Sequence, residues 1–261
     1  MYFSVWLFTL FAISMSSFWN VPFVFGAAHL NRSVRIHKRS LDTWVSVGRN
    51  GNWPCSRAQI AAIESAVEYT KILANGAIVA LDDSGRSSSA YLRWFGHGNA
   101  YESDLKAIKE HHYGAVISEL RAPESGTVDS VEEGGADPER LVYACPAAGS
   151  NLCASGEAAA VINAGDSGFR VNLLYLCPSF FNKVSHSRML SNWRRGTYTS
   201  SAGLVLLHEM QHLDAVVGSE RRCVDHAYSV SGCEDLDDEE KITNAQNFAF
   251  FALDVTASPP R

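Results

Sequence analysis

Five residues in the last quarter of the chain, His208-Glu209-Met210-Gln211-His212, have types and a spacing that suit metal chemistry. On a helix with 3.6 residues per turn, positions four apart share a face, so both imidazoles can reach one metal ion. Glu209 then lies beside that ion. A zinc ion held by two histidines keeps a position for water, lowers that water's pKa to about 7, and leaves the neighbouring carboxylate to take the proton. The pattern predicts metal-dependent hydrolysis with one zinc per chain. The plain alternative is a surface helix that carries two histidines by chance. Against it stands the apolar run Leu204-Val205-Leu206-Leu207, which predicts a helix buried all round, where two imidazoles and a carboxylate would be costly without partners.

A catalytic zinc needs a third protein ligand and an open position. The form with a third histidine six residues on would require Gly at 215 and His at 218; the chain has Ala215 and Gly218, which excludes it. A glutamate ligand from a later helix would be Glu234, beside Cys233. An aspartate ligand would be Asp225, thirteen residues after His212 and followed by Tyr228 in the form Asp-x-x-Tyr, with His226 as a minor rival.

Several elements must position these groups. Ser56-x-x-Gln59 has the form of a helix capping box, and Ile60, Ile63 and Val67 recur at helical spacing, predicting a long helix from about Ser56 to Leu81. Ala90 to Gly96 is a short aromatic-rich segment, and Ser103 to His112 reads as another helix that ends with His111 and His112 in solvent. Strand character follows in 115–120, 141–145 and 169–176. The acidic, Gly-rich stretch from Glu124 to Pro138 reads as a loop or hairpin tip between them. Alternation of Val171, Leu173 and Tyr175 with Arg170 and Asn172 predicts a sheet with one wet face. Residues 182–201 read either as a mobile loop over the site or as a solvated connection. The metal helix is expected to run to about Val217 and stop at Gly218. A last helix opens at Asp237-Asp238-Glu239-Glu240 and continues through Asn247, Phe250, Phe251 and Asp254.

Composition narrows the setting. The chain has 261 residues, 46% of them hydrophobic, enough for one sizeable core, and one catalytic domain over residues 40–261 is expected. A net charge of −6 and the lack of a basic cluster argue against nucleic acid and membrane surfaces as partners. Residues 1–28 carry no charge until the small residues Gly26-Ala27-Ala28 and read as a signal peptide; interruptions at Ser14, Ser16, Ser17, Asn20 and Pro22 disfavour a membrane span. Asn31-Arg32-Ser33 is a glycosylation acceptor. Lys38-Arg39 reads as a dibasic processing site, making residues 29–39 a propeptide and Ser40 the mature start. Six cysteines in a secreted chain read as three disulfides, with Cys223 and Cys233 the likeliest local pair.

With these residues in place, His208-Glu209-Met210-Gln211-His212 together with Asp225-His226-Ala227-Tyr228 resembles the aspzincins, the fungal deuterolysin and lysine-specific metalloendopeptidase family. Arg93-Trp94-Phe95-Gly96, Leu176-Cys177-Pro178-Ser179-Phe180-Phe181 and Asn244-Ala245-Gln246-Asn247-Phe248-Ala249-Phe250-Phe251 add to the likeness, which spans Cys55 to Val255. The resemblance implies a zincin-like α+β fold, mainly helical with a small antiparallel or mixed sheet. It implies His208, His212 and Asp225 as zinc ligands, Glu209 as general base, Tyr228 as hydrogen-bond donor to the developing oxyanion, and a protein or peptide substrate. Disulfides Cys55–Cys145 and Cys153–Cys177 are implied in the same way. The chain departs from the family at Arg222-Cys223-Val224 and at Ser229, where relatives carry Gly-Thr and Gly. The acidic positions that receive lysine in lysine-specific relatives correspond to Gln246 and Ala249, which argues against strict lysine specificity. The competing class is a secreted zinc-binding effector without turnover; a hydrolase of non-peptide bonds is the third.

Overall fold

The computed structural model describes residues 41–46, 53–123, 127–128 and 137–258. The signal peptide, glycosylation site, propeptide and dibasic pair expected within residues 1–39 lie outside the described residues. From residue 41 onward the chain forms a helical body packed on one face of a small mixed sheet.

Helix α1 (Arg57–Ser84) is its spine. The expected capping box is present: the Ser56 side chain accepts from the Gln59 N–H, and the Gln59 side chain accepts from the Ser56 N–H. Ile63, Leu73, Ala74 and Ala77 are fully buried along one stripe. Each large aliphatic side chain so buried contributes roughly 1.5–3 kcal/mol. Helix α2 (Ser89–Phe95) follows, and Gly96 closes it at φ 81°. Gly96 is required there for space as well as conformation, because a Cβ would lie 1.8 Å from Asp238 Oδ1.

Helix α3 (Glu102–Ala107) runs through a π-helical stretch (Ile108–Tyr113) directly into α4 (Gly114–Glu119). The strand expected at 115–120 is therefore a correction. Its Val and Ile residues favour strand in isolation, but no breaker stands between them and the helix before: Gly114 keeps helical angles, and Val116 is buried where α4 packs on α1. Nor is His112 solvated. It is 5% exposed, stacks on Phe248 at 4.2 Å, and donates from Nδ1 to Gln211 Oε1 at 2.9 Å.

The sheet has the order β2-β1-β3-β5-β4, with β1 (Asp42–Ser46), β2 (Thr127–Val128), β3 (Asp137–Ala144), β4 (Ala159–Ile162) and β5 (Val171–Leu176). Strands β1, β2, β3 and β5 are mutually parallel where they pair, and β4 runs antiparallel to β5 at the edge. The expected loop up to Pro138 thus gives way to strand at Thr127–Val128 and from Asp137. The wet face is also a correction. Parallel strands are covered on both sides, and every β5 residue is buried. Leu174 and Leu176 face the helices, while Leu173 and Tyr175 join a second cluster with Val142, Ala144, Phe169 and Cys177. Asn172, polar and misleading in sequence, is buried with its amide satisfied: it donates to the Pro138 and Arg140 carbonyls and accepts from the Ala164 N–H.

The stretch expected as a loop at 182–201 instead holds α6 (His186–Arg194), after the short α5 (Pro178–Phe181). Ser185 caps α6. Trp193 Nε1 donates to Asp254 Oδ1 at 2.9 Å and Arg194 Nε to the Ala257 carbonyl at 2.6 Å, docking it on the last helix. The remaining helices are α7 (Ala202–Glu209), α8 (Asp214–Val217), α9 (Val230–Asp235), α10 (Asp238–Thr243) and α11 (Ala245–Ala257). Disulfides join Cys55 to Cys145 and Cys153 to Cys177. Cys223 and Cys233 are buried but unbridged, so the expected third disulfide is absent. Their sulfurs face carbonyls instead, Cys223 towards Arg221 and Cys233 towards Ala227.

Candidate metal centre

Helix α7 sits against α1 because Gly203 has no side chain. A Cβ there would lie 2.7 Å from Tyr69 Cβ and 3.2 Å from the Ala66 carbonyl oxygen, and the buried Thr70 hydroxyl closes the contact by donating to the Gly203 carbonyl at 2.9 Å. Ser201 caps the helix by accepting from the Leu204 N–H. The helix does not run unbroken to Val217. It tightens into a 3₁₀ turn over Met210–His212, leaves helical angles at Leu213 (φ −91°, ψ 108°) and resumes as α8. Asn163, beyond the edge strand, stabilises that break: Nδ2 donates to the His212 carbonyl at 3.0 Å and Oδ1 accepts from the Asp214 N–H at 2.8 Å. Two backbone groups freed by the break are thereby satisfied.

The loop carrying Asp225 is shaped by a second break. α10 and α11 are separated at Asn244 (φ −92°, ψ 116°), so the expected single last helix is two. Val224 N–H donates to the Thr243 carbonyl and Ala245 N–H to the Val224 carbonyl, a bridge that requires Asn244 to be extended. The Asn244 side chain accepts from the His226 and Ala227 N–H groups and donates to the Ala227 carbonyl and to Asn247 Oδ1. Hydrogen bonding to one buried amide thus does the work that sequence reasoning assigned to a disulfide.

These elements bring His208, His212 and Asp225 together. Asp225 Oδ1 is 3.3 Å from His208 Nε2 and 3.3 Å from His212 Nε2, and the two Nε2 atoms are 3.2 Å apart. Zinc–ligand bonds of about 2.0–2.1 Å in a tetrahedron require ligand–ligand edges of roughly 3.3–3.4 Å, so the three atoms are spaced as one face of such a site. His212 Nδ1 donates to the Cys223 carbonyl at 2.9 Å, which fixes the tautomer and leaves the Nε2 lone pair directed at the shared point. The donor set of two imidazoles and a carboxylate suits zinc.

Electrostatics agree with the geometry. Burial raises the Asp225 carboxyl, but the His208 and His212 side chains beside it outweigh that and hold the group well below the usual carboxylate range. Burial pushes the Glu209 carboxyl up, against the pull of the two imidazoles. Glu209 is 5% exposed, lines the cleft, and has no hydrogen bond or ion pair with any described residue. Tyr228 stands at the cleft mouth, 61% exposed, with its ring 5.9 Å from that of His208. Burial and the neighbouring Asp225 push its hydroxyl above the ordinary phenol range, so it is a proton donor at neutral pH.

The rival ligands are occupied elsewhere. Glu234 pairs with Arg93, whose guanidinium also lies over Trp94 and reaches Asp254. His226 Nε2 lies 3.2 Å from the Thr243 hydroxyl. Among the described residues, His208, His212 and Asp225 are the one group of three or more such side chains close enough to share an ion. Sequence reasoning missed Asn163, which no motif distinguishes. It quoted Asn244 within an aromatic helix segment without seeing that this residue shapes the metal loop.

The centre opens into a cleft of about 900 Å³ walled by the edge strand β4 and by Glu157, Tyr175, Lys183, Tyr198 and Gln246. No curated protein matches this sequence. The fold is similar to that of a zinc peptidase from Grifola frondosa, at 19% identity over 77% of this chain and 98% of that one, with a TM-score of 0.50. The model of the lysine-specific metallo-endopeptidase family matches residues 80–253, which take in all five residues of the centre and well over half of the chain. The chain belongs to that family, the aspzincins, and is a zinc metalloendopeptidase that acts on protein or peptide substrates.

Proposed function

We propose that this protein is a secreted endopeptidase in which His208, His212 and Asp225 hold one zinc ion per chain, Glu209 is the general base and Tyr228 stabilises the oxyanion. The observation that carries the assignment is the triangle of three donor atoms with edges of 3.2–3.3 Å. A zinc ion bound there supplies Lewis acidity, polarising a water molecule and the scissile carbonyl. Glu209 takes the proton from the attacking water and passes it to the leaving amine. Its burial raises its proton affinity, which suits both steps. The Tyr228 hydroxyl donates to the carbonyl oxygen as charge develops on it, an interaction strongest in the transition state. β4, the antiparallel edge strand, presents backbone to an extended peptide in the cleft.

Secretion is supported by the uncharged leader of residues 1–28 and by two disulfides, which persist in oxidising compartments. No helix among the described residues is long and apolar enough to cross a membrane. Processing after Lys38-Arg39 would release a domain beginning at Ser40. The test is Glu209→Gln in processed protein. The variant is expected to keep its zinc by elemental analysis and to lose on the order of 10²–10⁴-fold in casein hydrolysis. Hydrolysis at the parent rate would contradict the assigned base, and a parent that binds zinc yet cleaves nothing would favour the effector reading.

A further inference from the structure

One side chain of the cleft has no role in the reaction. Lys183 lines the same cavity as the metal centre and is half-buried, yet its ammonium forms no hydrogen bond or ion pair with any described residue. Burial lowers its ammonium pKa, as expected for a cation with no counter-charge among the described residues. Of the acids of the cleft, Glu157 is engaged with Ser155 and Tyr175, Asp166 with Arg222 and Asp225 with the two imidazoles, and Glu209, the proposed base, has no ion pair with Lys183. An unpaired, partly dehydrated cation in a substrate cleft is costly until an anion arrives.

The surroundings of Lys183 supply further donors. A parallel bridge between Val184 and Ser201 sets Lys183 in register with Ser200, and both line the cleft. Tyr198 and Gln246 line the same cavity, and the Tyr198 hydroxyl oxygen accepts from Gln246 Nε2 at 3.4 Å and is hydrogen-bonded with the Ser200 side chain. The Tyr198 ring is fixed edge-on against Phe250. An ammonium and a phenol O–H in one cavity match a carboxylate.

We propose that Lys183 is a specificity-determining residue, receiving a carboxylate side chain, Glu or Asp, of the peptide substrate, with Tyr198 as a second donor. This rests on the endopeptidase reading above. It deepens the argument from Gln246 and Ala249, since an unneutralised lysine in the cleft repels the ammonium of a lysine substrate.

The test uses three quenched fluorescent peptides that differ only in carrying Glu, Gln or Lys beside the cleaved bond, made as two sets, one for each side of the bond. The wild type is expected to show kcat/KM at least about tenfold higher for Glu than for Gln in one set. Lys183→Met should bring that ratio to within about twofold of unity, Lys183→Arg should restore it, and Lys183→Glu should reverse the order in favour of Lys. A ratio unchanged in Lys183→Met, or a wild type without preference for Glu in either set, overturns the proposal. Calorimetry with zinc-loaded Glu209→Gln compares binding of the Glu and Gln peptides without turnover. Tighter Glu binding that is lost on adding Lys183→Met supports the proposal even if the parent hydrolyses nothing, and equal binding overturns it. Failure of the endopeptidase reading is seen separately, as absence of cleavage of all peptides.

Discussion

Asn244→Ala is the substitution that most severely probes how Asp225, the proposed third ligand, is held. Asn244 is fully buried, and its Oδ1 is the acceptor for the His226 N–H at 2.9 Å and the Ala227 N–H at 3.3 Å. Its Nδ2 donates to the Ala227 carbonyl at 3.1 Å and Asn247 Oδ1 at 2.6 Å. Leaving a buried donor or acceptor unmet costs about 1–3 kcal/mol per group. With two backbone N–H groups deprived, the loss of stability is on the order of 2–6 kcal/mol. At about 2–4 °C per kcal/mol for a domain of this size, Tm should fall by on the order of 10 °C in the presence of a chelator. Zinc should amplify the effect. His226 and Ala227 directly follow Asp225, so loosening them displaces the carboxylate, and loss of such support lowers metal affinity roughly 10–100-fold. The stabilisation given by a fixed zinc concentration should therefore shrink by about 1.4–2.7 kcal/mol. Scanning calorimetry with chelator and with a series of zinc concentrations reads both quantities. A Tm within about 2 °C of the parent, with unchanged zinc dependence, would refute the claim that this amide holds the metal loop.

Two other perturbations test neighbouring supports. Gly203→Ala places a methyl 2.7 Å from Tyr69 Cβ; overpacking of about 1–3 kcal/mol, less about 1 kcal/mol of helix propensity, predicts a net destabilisation of up to roughly 2 kcal/mol. Urea unfolding checks it, and a stabilised variant would show that α7 moves freely on α1. Burial lowers His112 from 6.5 to about 4, only partly offset by its hydrogen bond to Gln211. Between those values the unfolded chain binds a proton that the folded chain refuses, so stability falls as pH drops through this window, by about 2 kcal/mol from pH 8 to pH 5. His112→Gln should lose correspondingly less over that range; equal losses in urea midpoints would show that His112 does not carry the effect.

The residues of the proposed metal centre, which the structure brings together, were more legible in the sequence than the scaffold that supports them, for a physical reason. His208, Glu209 and His212 depend on one helical turn, and Asp225 and Tyr228 follow within sixteen residues of His212, so short-range spacing suffices. The misread elements depend on distant partners. Val116 and Ile117 are strand formers by intrinsic preference, and only packing on α1 makes them helical. Asn172 looks like the wet side of a strand until the Pro138 and Arg140 carbonyls and the Ala164 N–H are seen around it. Residues 186–194 read as a loop because their mean hydropathy is low, yet Ser185 caps them and Trp193 ties them to Asp254. Cys223 and Cys233 were paired by nearness in sequence, whereas the loop between them is held by Asn244 from a different helix. Strands β1 and β4, too short to show a period, were missed altogether.

The central claim is that two imidazoles and the Asp225 carboxylate share one zinc ion. X-ray absorption on zinc-loaded protein, with zinc content measured on the same sample, tests it most directly. The account predicts one zinc per chain, a shell of nitrogen and oxygen at about 2.0–2.2 Å with imidazole scattering beyond it, and loss of the bound metal in Asp225→Ala. A sulfur shell near 2.3 Å, which would bring the buried Cys223 or Cys233 to the metal, or full zinc occupancy in Asp225→Ala, would contradict it.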